Sequence, residues 1–125
     1  MTFQVELVSP EGIVYSGEAE MVVARTVGGG DIAFQPGHVP FIGVLAIWSV
    51  EIIRTDGGRD AFAVHRGFVQ VAGTKVSILS DVSEAAAEID VDRAQVALEL
   101  DGDDPEEAAA RSRAEVRLRV AGGDI

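Results

Sequence analysis

His38 and His65 are the only two imidazoles in the chain, and there is no cysteine. The residues able to do nucleophilic or metal chemistry are therefore few. His38 lies in the stretch GGGDIAFQPGHVPFIGVL, Gly28 to Leu45, pinned between Pro36-Gly37 and Val39-Pro40. In so constrained a turn it could act as a base, hold a metal or belong to a structural or docking loop. A zinc site on two histidines and a carboxylate would be sought in HEXXH or HXH spacing, and neither is present. A Ser-His-Asp arrangement assembles in space, but no serine stands in a G-x-S-x-G elbow. His65, in AFAVHRGF near a strand end, reads as a satisfied structural histidine. VGGGDIAF superficially suggests a phosphate loop. It lacks the G-x-x-x-x-G-K-[ST] pattern and leads into extended sequence, so no helix N-terminus faces an anion. The many carboxylates of the tail lie on exposed polar sequence, where nothing tunes a general acid. A β-sandwich hydrolase using His38 is the weakest reading, and no catalytic residue or metal ligand is assigned.

Composition narrows the partners. The 125 residues suit one domain, or one domain with a small appendage. Twenty-one acids against ten bases give a formal charge of -11, which disfavours phosphate-backbone binding and anionic membrane surfaces. Apolar residues make up 47% of the chain, but no run approaches the roughly 18 residues of a membrane span. The start, MTFQVELVSP, lacks the features of a signal peptide. The expectation is a soluble intracellular protein with no nucleic-acid partner and no direct membrane insertion.

The residues so far weighed must be positioned by two regions of different period. From Phe3 to Leu79 the chain reads as eight to ten short strands with turns between them, which predicts an antiparallel sandwich or barrel. Asp56-Gly57 marks one hairpin and Gly73 another. After Asp81 the sequence becomes rich in Ala and Glu. Asp90 is a plausible N-cap for a helix of about residues 91–100. Asp104 caps a second helix with Pro105 at its first position, and Gly122-Gly123 ends it. Ala109, Ser112, Val116 and Val120 could form its packing stripe. Charge is segregated: Glu84 to Glu107 carries ten acids and one base, Arg93, whereas Arg111 to Arg119 carries four arginines and one acid. Either two solvated helix faces pair loosely, or the Arg face docks on an acidic partner.

At this point a family becomes recognisable. GGGDIAFQPGHVPFIGVL resembles the Gly-Asp/Glu-x-x-x-x-Pro-Gly-His-x-Pro loop of the epsilon subunit of F-type ATP synthases. HRGFVQVAGTKVSILSDVSE resembles that family's Gly-Phe-x-x-Val…Val-x-x-Leu-x-Asp-x-x-Glu segment. IDVDRA, Ile89 to Ala94, is similar to its Ile-Asp-x-x-Arg-Ala motif. The likeness covers nearly the whole chain in the family's order.

The resemblance implies a β-sandwich of about ten strands over residues 1–84, and a two-helix regulatory hairpin over 85–125. It implies a non-catalytic rotor subunit at the cytoplasmic face of the bacterial plasma membrane. The sandwich would join the gamma subunit and the c-ring, and the hairpin would restrain ATP hydrolysis. Asp31, Pro36, Gly37, His38 and Pro40 match the loop placed near the rotor interface, and Gly67 and Phe68 match a structural, gamma-facing stretch. Glu84, Asp90, Arg93 and Ala94 match positions at which some bacterial members bind regulatory ATP, as Mg-ATP, although no cofactor is required. The alternative is that Asp90 is simply an N-cap with Arg93 as its counter-ion. The tail is more compact than the family's longer form and resembles actinobacterial-type members. Arg111, Arg113, Arg117 and Arg119 are then candidates for docking on the alpha/beta catalytic head.

Overall fold

Alternation builds the first strand. In β1 (Phe3–Ser9), Phe3, Val5 and Leu7 are buried while the intervening Gln4 and Glu6 remain partly exposed. The computed structural model describes residues 2–122. Six further strands follow: β2 (Gly12–Thr26), β3 (Gly30–Phe34), β4 (Phe41–Leu45), β5 (Trp48–Arg54), β6 (Arg59–Ala72) and β7 (Lys75–Ala85). They hydrogen-bond in the order β1-β7-β6-β4-β2-β3, β5 bridges β2 and β6, and β1 returns to pair with β2. The sheet thus closes over a core that includes Leu7, Val22, Phe34, Ile52, Val64 and Ile78.

Two expectations change here. The described residues hold seven strands, because β2 and β6 each run on and change partners part-way. β2 pairs with β1 through Ala19 and with β5 and β3 beyond it. β6 pairs with β5 up to Val64 and with β4 from Gly67. Each such strand reads from sequence as two. The sheet is also not wholly antiparallel, since β1 lies parallel to β7.

Each long strand turns at an irregularity. In β2 the register shifts between Ala19 and Met21, which moves the buried set from Ala19 to Val22, Ala24 and Thr26. In β6, Arg66 adopts φ 68° and Gly67 φ 157°, and pairing with β7 skips from His65↔Val82 to Gly67↔Ser80. A Cβ on Gly67 would collide with the Leu79 carbonyl oxygen of β7. Glycine at 67 is therefore demanded by the close approach of two backbones.

Beyond β7, a 3-10 turn (Ala86–Glu88) leads to α1 (Val91–Leu98) and α2 (Pro105–Gly122). Asp90 caps α1: its Oδ1 accepts the Arg93 backbone N–H at 3.1 Å. Asp104 caps α2 in the same way, accepting from the Glu106 N–H at 2.8 Å. Arg111 closes the corner by donating to the Leu100 and Gly102 carbonyls at 2.9 and 3.0 Å. The predicted stripe on α2 needs correction. Val116 and Val120 are buried together with Ala114, whereas Ala109 is half-buried and Ser112 is exposed, its hydroxyl donating to Ala108. The reason is that α2 packs on α1 as well as on the sheet, so its buried positions do not fall on one line.

The hairpin covers the outer side of β6. Val116, Val120 and Ile89 cluster with Ala63, while Phe62 and Val64 on the same strand point into the sandwich core. Each buried valine contributes about 1.5–3 kcal/mol relative to exposure. Gly67→Ala is expected to destabilise the protein by about 1–3 kcal/mol or more, through that backbone collision. Urea unfolding followed by circular dichroism would show it as a lower midpoint, and an unchanged midpoint would refute the account.

Candidate functional site

The register of β6 against β7 sets Glu84 opposite Ala63, two pairs along the ladder from His65↔Val82. From there one carboxylate oxygen, Oε1, accepts from His65 Nε2 at 2.8 Å and from Arg117 Nε at 2.7 Å. A single atom thus ties β6, β7 and α2 together. Burial pushes the His65 imidazole below its ordinary pKa, with the nearby Arg117 and Arg113 charges adding to that and Glu84 opposing it. The buried His65 Nδ1 has no hydrogen-bond partner, so a proton there would meet no acceptor. Burial pushes Glu84 the other way, but the Arg117 and His65 hydrogen bonds outweigh it and hold its carboxyl below the usual range. His65 is accordingly a structural histidine with a defined task, which sequence reasoning left unassigned.

Around Glu84 opens a cleft of about 420 Å³ between the sandwich and the two helices, lined by Glu88, Asp90, Arg93, Ala94, Arg113 and Arg117 among others. The four residues matched to a nucleotide site, Glu84, Asp90, Arg93 and Ala94, therefore come together, and Arg113 and Arg117 join them from α2. Asp90 does cap α1. Arg93 is not its counter-ion: among the described residues their link is the backbone N–H, and the Arg93 side chain lines the cleft.

The other tail arginines also turn inward. Arg113 reaches Glu106 at 3.4 Å, Arg111 holds the interhelical corner, and Arg119 lies over the Trp48 ring at 4.7 Å from its centroid. None is fully exposed, so in this conformation the arginine face is occupied by the chain's own sandwich, linker and first turn of α2. Trp48 and its second cation, Arg25 at 3.7 Å, were missed in the sequence, since no periodicity links a strand residue to a helix so far along the chain.

On the sandwich, His38 is held in its turn. Its Nδ1–H donates to the Val39 carbonyl at 2.7 Å, and the ring packs edge-on to Phe34 at 5.1 Å and Phe41 at 6.1 Å. The His38 N–H closes the turn onto Gln35, and Gly37 takes φ 91°. Pro36 is half-buried and Pro40 exposed. Asp31 is bound by Arg25 across the β2–β3 ladder. Phe68 stands 54% exposed, in a row with Val44 on β4 and Leu79 on β7, its direct cross-strand partners. These three and Val27 line an apolar groove of about 670 Å³ with Arg66 and Asp81 at its edge. No helix among the described residues is long and apolar enough to cross a membrane.

A closed sandwich carrying a docked two-helix hairpin, with a cleft at their seam and an apolar groove on the sandwich, defines a two-part β-plus-helical-hairpin module. Residues 2–86 match the model of the ATP synthase delta/epsilon chain β-sandwich domain. The ATP synthase epsilon chain of Streptomyces griseus is 51% identical over 116 residues, covering 93% of this chain and 92% of that protein. Two solved assemblies contain chains of similar fold. One is the Euglena gracilis mitochondrial ATP synthase OSCP/F1/c-ring, with TM-score 0.67 and 19% identity, covering 97% of this chain and 78% of that one. The other is the Tetrahymena thermophila mitochondrial ATP synthase central stalk/c-ring, with TM-score 0.63 and 17% identity, covering 97% and 94%. The chain belongs to the epsilon-chain family of F-type ATP synthases, as the resemblance of its motifs implied, and its relatives are accessory subunits rather than the catalytic one.

The seam predicts an acid-labile hairpin. A depressed histidine pKa means that the unfolded chain binds more protons, so stability present above about pH 6.5 is lost as pH falls toward the folded value. The lowered Glu84 value extends the same loss to more acid pH. Thermal unfolding measured against pH should show α2 melting earlier on acidification. His65→Phe should flatten the part of that slope nearest neutrality, and an unaltered slope would exclude His65 as its source.

Proposed function

We propose that the protein is a rotor subunit of the proton-translocating ATP synthase, bound to the gamma subunit and c-ring in the central stalk. There it would couple proton flow to ATP synthesis, peripherally on the cytoplasmic face of the membrane. The observation that carries this reading is the apolar row Val44, Phe68 and Leu79, half or nearly half exposed on adjacent strands. A contiguous apolar face on so acidic a chain needs a protein surface to cover it. That surface is assigned to gamma, and the loop of Asp31 and Pro36 to Pro40 to the neighbouring rotor contact. Phe68→Glu should cut co-purification with gamma by more than about tenfold, since it desolvates a charge at the interface. Full recovery of the gamma complex would remove this face from the interface.

The hairpin supplies the regulatory part. Released from the sandwich, α2 would offer Arg111, Arg113, Arg117 and Arg119 to acidic surfaces of the alpha/beta head and so restrain hydrolysis. Deleting residues 111–125 should raise ATP hydrolysis in a stoichiometric complex; an unchanged rate would count against restraint by this tail.

A second reading is favoured by the cleft itself. Arg93, Arg113 and Arg117 converge on a space that a triphosphate could enter, while Asp90 and Glu88 could accept from an adenine amine or ribose hydroxyl. Mg-ATP would then hold the hairpin down. Calorimetric titration should give saturable heat that Arg93→Ala abolishes. No heat at millimolar nucleotide would leave Asp90 with its capping role alone.

A further inference from the structure

Trp48, the sole tryptophan of the chain, is shared by two cations from different parts of the fold. The Arg25 guanidinium of β2 lies 3.7 Å from its ring centroid and the Arg119 guanidinium of α2 lies 4.7 Å away. Both distances are within cation–π reach. Arg25 is in turn gripped by Asp31 on β3, with Nε donating to Oδ1 at 2.8 Å and Nη2 to Oδ2 at 3.4 Å. Asp31 is 55% exposed in its side chain, so an outside group can reach it.

The arrangement is electrostatically interdependent. Two guanidiniums within about 5 Å of one indole centroid repel each other, and a nearby negative charge offsets that repulsion. Asp31 is the nearby counter-charge: its hydrogen bond to Arg25 holds its carboxyl below the usual range, and the charge of Arg119 contributes to that shift from α2. Glu115, also on α2, attracts Arg25. The Arg119 Nε is buried without a hydrogen-bond partner. That end of the side chain therefore relies on the indole and the surrounding field rather than on a fixed acceptor.

We propose that Asp31 and helix α2 are coupled through Arg25, Trp48 and Arg119, so that a basic side chain of a docking partner that engages Asp31 loosens the hairpin's hold on the sandwich. Drawing Asp31 away from Arg25, and adding a positive charge beside it, leaves the repulsion between Arg25 and Arg119 across the indole uncompensated. Arg119 is the one whose departure frees an element. The use of this coupling in the assembled machine rests on the rotor reading above, but the coupling is a property of the single chain and is measured there.

The experiment is a double-mutant cycle read by native-state hydrogen exchange of α2 amides in the full chain. Asp31→Asn and Arg119→Gln are each expected to speed that exchange about threefold to tenfold, and the double variant to fall well short of the product of the two. Amides of β1 and β6 facing the core should keep their protection, which separates loosening of the hairpin from unfolding. In a Trp48→Leu background, which removes the π face, Asp31→Asn should lose most of its effect. Asp56→Asn, which breaks a comparable exposed pair with Arg54 away from this stack, should leave α2 unchanged. The proposal is overturned if Asp31→Asn does not alter α2 exchange, if its effect and that of Arg119→Gln multiply independently, if it persists in the Trp48→Leu background, or if Asp56→Asn matches it.

Discussion

The seat of the hairpin rests on one carboxylate oxygen, Oε1 of Glu84, which accepts from a buried imidazole on β6 and from a guanidinium on α2. A half-buried carboxylate with two charge-assisted or polar donors is far better satisfied than one facing an apolar surface. The converse also holds, because removing either partner leaves a desolvated group without compensation. Such a contact adds little net stability, but it selects one position of α2 over its neighbours. The cleft, the burial of Val116 and Val120 and the stacking of Arg119 on Trp48 all need α2 in that position.

The same contact explains why the arginines of α2 are not simply a solvated basic face. A guanidinium on a long stem takes the nearest acceptors available. In a chain with more than twice as many acids as bases, those acceptors lie on its own sandwich, linker and first helical turn. The docked hairpin is therefore one state of an element whose charges could serve elsewhere only after these contacts are given up. Regulation by such a tail is a competition between internal and external partners for the same side chains.

The sandwich, by contrast, is anchored by burial that does not depend on the hairpin. Its core is filled by alternating residues of all the long strands, and its irregularities sit where strands change partners. The Gly67 bend brings β6 against β7 so closely that no side chain fits, and it places Phe68 outward just beyond the turn. Core packing and the exposed apolar row are thus two consequences of one backbone feature.

Local chemistry was legible directly. The caps at Asp90 and Asp104, the turns at Gly57 and Gly73, the Pro36–Pro40 turn with its tethered imidazole, and the order of β region then helices all depend on residues within a few positions of one another. Their energetics are settled before tertiary contacts form. The residues Glu84, Asp90, Arg93 and Ala94 were marked only by the family resemblance, which did not give the shape of the cleft they line. What escaped was everything that requires a distant partner. The strand count ran high because a strand that passes between two partners looks like two strands. The parallel pairing of β1 with β7 leaves no mark on either segment. Ala63 and His65 owe their burial to a helix encoded some fifty residues later, and Trp48 meets Arg119 only because the closed sheet and the hairpin bring them together. Sequence by itself determined the helix caps, the tight turns and the order of β region then helices, since hydrogen bonding and backbone preference are short-ranged; only the tertiary structure decided how far strands run and which charges meet, because that depends on the register and closure of the whole chain.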